Sequence, residues 1–299
     1  MVSEKIKGLV AATVTPMKAN GEVNLPALDR YVKHLEKQGL AGVFVNGTTG
    51  EGLLMTTEER KVVAEAWMAY KDKFKVMIHV GGTNYAAAVE LARHAEQIGA
   101  DAISAMGPCF LPPYRAEELV AFNKIIAAAA PHTPFYYYHI PGTSHVNVNM
   151  LDFLKLGEKE IPTLRGIKYT TYDSMTMQEC IAYRNGYYDI LHGHDETILT
   201  GLMLGATGGV GTSYSVTGQL YNKMLNTFWA GDVAGAVKLQ EEAVKFIRVL
   251  IKYENSVVGI KAILQIMGVD CGPVRLPMRN LTPDRMKALE ADLRAIGWI

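Results

Sequence analysis

Lys168 closes a short apolar run, Leu164-Arg165-Gly166-Ile167-Lys168, and a second strand-like run, Phe135-Tyr136-Tyr137-Tyr138, ends thirty residues earlier. That interval is about the length of one strand-helix-strand unit. The spacing therefore predicts neighbouring parallel strands with a phenol and an amine at the same end of a sheet. A lysine so placed, beside a tyrosine able to shuttle a proton, is what carbonyl chemistry through a Schiff base needs. The amine must be neutral to attack, and an unperturbed lysine of pKa about 10.4 is neutral in only roughly one molecule in 2,500 at pH 7. Burial in an apolar mouth would depress that pKa.

Most lysines are only surface charges, so the residues around this one decide. Gly47-Thr48-Thr49-Gly50-Glu51-Gly52 directly follows another apolar run, Gly42-Val43-Phe44-Val45. Glycines there let backbone amides approach a ligand, and the hydroxyls of Thr48 and Thr49 suit a small carboxylate. A plain tight turn is the alternative. Three further segments put polar groups just after apolar runs: Lys168 to Thr170, Gly193-His194-Asp195-Glu196, and Gly211-Thr212.

The elements that must position these groups alternate. Strand candidates are Leu9 to Val14, Gly42 to Val45, Val76 to Val80, Ala102 to Ala105, Phe135 to Tyr138, Leu164 to Lys168, Tyr188 to Leu191 and Gly208 to Gly211. Between them lie segments of helical period: Leu28, Tyr31, Val32 and Leu35, then Tyr85 to Ile98, Ala116 to Ala130, Met150 to Leu156, Met175 to Tyr183 and Thr197 to Leu204. Thr56, with Glu59 three residues on, has the form of a capping box, so Thr56 reads as a helix cap rather than a ligand. Eight strand-helix repeats of this kind predict an α/β protein, a closed (β/α)8 TIM barrel, in which chemistry collects at the C-terminal ends of the strands. Residues 1–228 are assigned to this barrel. Residues 229–299 read as a helical C-terminal extension packed on it, with Val233, Ala236, Val237, Ala243, Val244, Ile247 and Ile251 on one side of its first helix, followed by Val257 to Met267 and Pro283 to Ile296.

The 299 residues carry 30 basic and 30 acidic side chains. Balanced charge gives no footprint for nucleic acid or an anionic membrane. Cys109, Cys180 and Cys271 form no CxxC pair, which fits a reducing compartment. The N-terminal run Met1 to Lys7 lacks an apolar leader, and no stretch reaches about eighteen uninterrupted apolar residues. A cytoplasmic protein is expected.

Taken together, Gly47-Thr48-Thr49-Gly50-Glu51, Tyr138 within Tyr136-Tyr137-Tyr138-His139-Ile140-Pro141, and Gly166-Ile167-Lys168-Tyr169-Thr170 resemble the dihydrodipicolinate synthase / N-acetylneuraminate lyase superfamily of pyruvate-dependent class I aldolases, over essentially the whole chain. The resemblance implies that Lys168 forms a Schiff base with pyruvate, that Thr48 and Thr49 hold the pyruvate carboxylate, and that Tyr138 relays protons. It also implies a homotetramer and neither metal nor organic cofactor. The match is nearest to the N-acetylneuraminate lyase branch, through Tyr136 to Pro141 and Gly193-His194-Asp195-Glu196. There the resemblance implies that Thr170, Gly193, Asp195, Glu196, Gly211 and Thr212 bind the substrate and its polyhydroxylated tail, and that the reaction is the reversible cleavage of N-acetylneuraminate to N-acetylmannosamine and pyruvate.

The chain also departs from the pattern. Synthases of the superfamily typically carry an arginine after Pro-Gly to receive a second carboxylate, where this chain has Thr143, and they use a partner tyrosine where it has Phe110 and Leu111. Thr143, Ser144 and His145 differ from the stretch usual in the lyases too, which bears on aldehyde specificity. A 4-hydroxy-tetrahydrodipicolinate synthase, another 2-keto-3-deoxy acid aldolase or dehydratase, and a non-catalytic barrel are the competing readings.

Other residues have competing roles. His192, His194, Asp195 and Glu196 could gather a metal, though no further histidine lies in a convergent place. Asp195 and Glu196 could instead cap the helix near Thr197. His79 and His139 are expected to be hydrogen-bonded core residues. Gly205 to Gly211 fits neither phosphate fingerprint, and its glycines are expected to admit substrate close to the backbone.

Overall fold

Most strands form where β-branched and aromatic residues crowd between turns, with β8 (Gly-Gly-Val-Gly) the exception, and they are buried on both faces, as parallel strands covered by helices must be. The computed structural model describes residues 4–299; Met1, Val2 and Ser3 of the N-terminal run lie outside the described residues. Its strands are β1 (Gly8–Ala12), β2 (Gly42–Val45), β3 (Lys75–His79), β4 (Ala102–Ala105), β5 (Phe135–His139), β6 (Leu164–Tyr169), β7 (Asp189–His192) and β8 (Gly208–Gly211). They pair in parallel in chain order, and β8 returns to β1 to close the barrel. All eight expected strands are present. The first stops at Ala12, two residues short of its expected end, and β3 and β7 each sit one residue from the predicted bounds.

The helices are α1 (Leu28–Glu36), α2 (Thr57–Met68), α3 (Tyr85–Gln97), α4 (Ala116–Ala127), the short α5 (Pro141–Ser144), α6 (Met150–Glu160), α7 (Ser174–Ala182), α8 (Ile198–Leu204) and α9 (Tyr214–Trp229), then α10 (Val233–Lys252), α11 (Ser256–Ile266) and α12 (Pro283–Ala295). The capping box is formed: Glu59 N–H donates to Thr56 Oγ1 at 3.1 Å and Thr56 N–H to Glu59 Oε2 at 2.9 Å. Sequence reasoning missed α5 and α9. The first turns of α9 hold Ser215, Thr217 and Gly218, poor helix formers that packing overrides by burying them with Tyr214 and Tyr221. The division at 228/229 falls at the last residue of α9, whereas the chain leaves the helix at Ala230-Gly231-Asp232.

The face predicted for α10 is rotated. Ala236, Ala243 and Ile247 are buried as expected and Val244 is half-buried, but Leu239, Phe246 and Leu250 join the buried side while Val233, Val237 and Ile251 stand exposed. Apolar residues cover so much of this helix that two stripes were possible, and only its packing partners selected one.

Two apolar layers follow from strand alternation. Val43, Val45, Tyr137, Ile167 and Ile190 point outward to the helices. Phe44, Met77, Tyr136, Tyr138, Leu191 and Val210 fill the barrel interior. Tyr138 pairs with Lys168 across β5 and β6. Since Ile167 points outward, Lys168 points inward, at the height of Tyr138.

Candidate active site

The Lys168 side chain runs up the barrel interior. Its Nζ lies 4.0 Å from the centre of the Tyr138 ring and 4.2 Å from that of Phe44. Among the described residues it makes neither hydrogen bond nor ion pair, and it is only 4% exposed. Burial pushes its pKa down to about 7, with the Asp195 charge opposing. At pH 7 about half the molecules then carry a neutral amine, a roughly thousandfold gain over an ordinary lysine.

Tyr138 is also buried, and burial raises its pKa to about 12 while contact with Thr48 works the other way. Its hydroxyl thus stays protonated at neutral pH and lies 3.4 Å from Thr48 Oγ1. Thr49 Oγ1 is 2.7 Å from Thr212 Oγ1, which joins the loops after β2 and β8. All ten candidate residues, Thr48, Thr49, Tyr138, Lys168, Thr170, Gly193, Asp195, Glu196, Gly211 and Thr212, line one cavity of about 570 Å³ at the C-terminal mouth of the barrel. A groove of about 680 Å³ between Lys37–Gly39 and α9 is lined by Lys37, Gln38, Gln219, Asn222 and Lys223, but both lysines are exposed and no tyrosine lines it.

The two carboxylates differ. Asp195 is buried and bonded to Ser213; burial raises its pKa to about 6 against those hydrogen bonds. Glu196 accepts a hydrogen bond from the Tyr172 hydroxyl at 2.6 Å and lies 3.4 Å from His194 Nδ1. Burial acts to raise its pKa, but His194 and Tyr172 outweigh that and hold it at about 2. The ring of Tyr172 stacks on His194 with centres 4.2 Å apart. Neither acid accepts a side-chain hydrogen bond from the start of α8, although both sit in the 3-10 turn, residues 195–197, that leads directly into it.

Several expectations are corrected. His79 is buried against Phe44 and Tyr138, yet among the described residues neither of its ring nitrogens has a side-chain hydrogen-bond partner, and His139 Nδ1 has none. Both are core rings, but not the hydrogen-bonded ones expected. The glycines after α8 make room for neighbouring protein atoms, although Gly211 also lines the cavity. A Cβ on Gly208 would meet Gly8 O at 2.1 Å, and one on Gly211 would meet Asp195 Oδ1 at 1.7 Å. His192 Nε2 lies 3.0 Å from Thr197 Oγ1. Among the described residues no three His, Cys, Asp or Glu side chains converge to hold a metal.

Of the unusual stretch at 143–145, only Thr143 lines the cavity; Ser144 is tied to Ile140 O and His145 ends α5 in a left-handed conformation. Sequence reasoning missed Phe44, Tyr172 and the wall from α10, which includes Val244, Ile247, Arg248 and Ile251. Tyr172 sat four residues after Lys168, a spacing that points to the same loop. The α10 residues gave no signal, since an apolar helix face reads as core.

A profile of the Dihydrodipicolinate synthetase family matches residues 5–296. An N-acetylneuraminate lyase of Mus musculus is 40% identical over 301 aligned positions, covering 99% of this chain and 94% of that protein. The solved N-acetylneuraminate lyase of Proteus mirabilis superposes with a TM-score of 0.95 at 38% identity, covering 99% of this chain and 100% of that one. The native structure of N-acetylneuraminate lyase (sialic acid aldolase) from Aliivibrio salmonicida gives a TM-score of 0.95 at 34% identity, with 99% of each chain covered. No helix among the described residues is long and apolar enough to cross a membrane.

Proposed function

The chain belongs to the dihydrodipicolinate synthetase family, and from that premise we propose the reaction its site performs. It is a lyase, a sialic acid aldolase that reversibly cleaves N-acetylneuraminate to N-acetylmannosamine and pyruvate. The observation that carries this reading is the buried, unpaired Lys168 amine set against the Tyr138 ring, with its pKa brought down to about 7.

In the proposed mechanism, neutral Lys168 attacks the keto carbon of the open-chain substrate, and loss of water leaves a protonated imine. Tyr138 takes the proton of the C4 hydroxyl on its oxygen while passing its own through the Thr48 hydroxyl to the substrate carboxylate held there, and this is the proton that later returns to C3. The C3–C4 bond then breaks, its electron pair moves into the iminium to give an enamine, and the aldehyde departs. Protonation at C3 and hydrolysis release pyruvate and regenerate the amine. The iminium is the electron sink, so the chemistry needs neither metal nor organic cofactor. Thr48 and Thr49 hold the carboxylate; Thr170, Gly193 and Glu196 face the sugar, with Asp195, Gly211 and Thr212 shaping that side of the cavity. Thr143, standing where the synthases place an arginine, offers no cation to a second carboxylate and so favours a neutral sugar aldehyde.

We further propose a homotetramer acting in the cytoplasm on small molecules. The superfamily resemblance supports the tetramer, and three free cysteines are consistent with a reducing compartment. Residues 1–228 act as the catalytic barrel, with 229–299 as an extension that contributes one wall of the cavity.

A pyruvate-release assay on N-acetylneuraminate and on shorter 2-keto-3-deoxy acids tests the reading. Release from N-acetylneuraminate is expected, with borohydride trapping pyruvate on a peptide containing Lys168. An adduct on Lys155 or Lys159 would reassign the nucleophile, and a protein that ignores N-acetylneuraminate while cleaving a short keto-deoxy acid would leave only the aldolase class.

A further inference from the structure

We infer that Lys261, on α11 and outside the reaction cavity, is a positioning residue that fixes the carboxylate-holding loop through Glu51. The inference rests on the pyruvate reading of Thr48 and Thr49. Glu51 belongs to the same loop, but its side chain points away from the cavity and is fully buried, and the Lys261 side chain is 4% exposed. Glu51 Oε1 accepts from Lys261 Nζ at 2.6 Å and Oε2 from Arg275 N–H at 2.7 Å. Lys261 Nζ also donates to Pro273 O at 2.8 Å. The Arg275 guanidinium donates to Gly21 O, Leu54 O and Glu59 Oε2 at 2.8–2.9 Å, so one segment of the extension binds the loops after β1 and β2 and the first turn of α2.

The loop needs such an anchor. Asn46 and Glu51, at its two ends, both hold left-handed backbone conformations, with φ of 60° and 57°. Side-chain-bearing residues stay there only where the surroundings over-determine them. Glu51 N–H donates to Thr48 O at 3.0 Å, so the residue gripped by Lys261 also sets the backbone of Thr48. Burying an ion pair contributes little net stability compared with apolar residues of the same volume. Its effect here is on geometry: two donors, Lys261 Nζ and Arg275 N–H, fix the Glu51 carboxylate, and Glu51 N–H in turn fixes the carbonyl of Thr48, the residue that carries the hydroxyl.

The test compares wild-type protein with the double variant Lys261→Met/Glu51→Gln, which leaves no uncompensated buried charge and so avoids the instability of either single change. The pyruvate concentration for half-maximal borohydride trapping is read beside the KM for N-acetylmannosamine in the direction of synthesis. The double variant is expected to need about tenfold more pyruvate, with the aldehyde KM and the turnover at saturating pyruvate within about twofold of wild type. A purely structural role predicts a lower melting temperature with wild-type pyruvate dependence. That result, or a fall in turnover with unchanged half-saturation, would overturn the inference. Wild-type protein that no concentration of pyruvate traps would overturn the proposed function itself.

Discussion

Asp195 commits one carboxylate oxygen to a single residue: Oδ2 accepts from Ser213 N–H at 2.7 Å and from Ser213 Oγ at 2.6 Å. Its other oxygen faces Gly211. Asp195 therefore ties the loop after β7 to the start of α9, which leaves Glu196 as the acid proposed for the sugar tail. The two carboxylates, adjacent in sequence, are predicted to respond differently to substitution.

Hydrogen bonds to a charged group contribute about 1.5 to 3 kcal/mol, so Glu196→Gln is expected to lower kcat/KM for N-acetylneuraminate by roughly ten- to a hundredfold. Imine trapping by pyruvate alone should be unchanged. Asp195→Asn sets an amide against the Ser213 donors and is expected to weaken long and short substrates alike. Steady-state kinetics on both substrate lengths separates the two, and equal losses in Glu196→Gln would remove it from the tail site.

Removing the hydroxyl in Tyr138→Phe should slow turnover by about 10²- to 10⁴-fold, the usual range for a positioned acid-base group. The ring that packs against Phe44 and Lys168 is retained, so the fold is expected to persist by circular dichroism. Unchanged kcat in a folded variant would place the proton relay elsewhere.

The Lys168 pKa of about 7 sets a pH dependence. Only the neutral amine attacks, so the rate of imine trapping should rise about tenfold per unit up to pH 7 and level off above it. An ordinary lysine would keep rising to about pH 10.4. Stability follows the same sign: between about 7 and 10.4 the unfolded chain binds the extra proton, so the cost of burying the charge is full below pH 7 and fades as pH rises. Lys168→Met is accordingly expected to melt higher than wild type at pH 6, a difference that narrows at pH 9. A trapping rate still climbing above pH 9 would refute the depressed pKa.

Prolonged chelation should leave activity intact, because the iminium supplies the electron sink. Activity lost on chelation and restored by Zn²⁺ would return His192 and His194 to consideration as metal ligands.

Much of this molecule is legible in the order of its residues. Eight apolar runs at regular intervals specify the strands, because a strand buried on both faces must be apolar throughout. The period of 2 then sends Tyr138 and Lys168 to the same side once their strands pair, so the amine and the phenol could be named from spacing alone. Thr48, Thr49, Thr170 and Glu196 follow from their places just beyond strand ends, where a barrel opens. Tertiary structure decided what spacing cannot encode. The depressed Lys168 pKa depends on how completely water is excluded around it, and Phe44, from a strand more than a hundred residues earlier, supplies part of that exclusion. The capture of Asp195 by Ser213 joins consecutive strand-end loops, and the grip of Lys261 on Glu51 and the packing that rotates α10 join segments distant in sequence. Apolar and charged residues on such segments have several possible partners, and closure of the barrel selects among them.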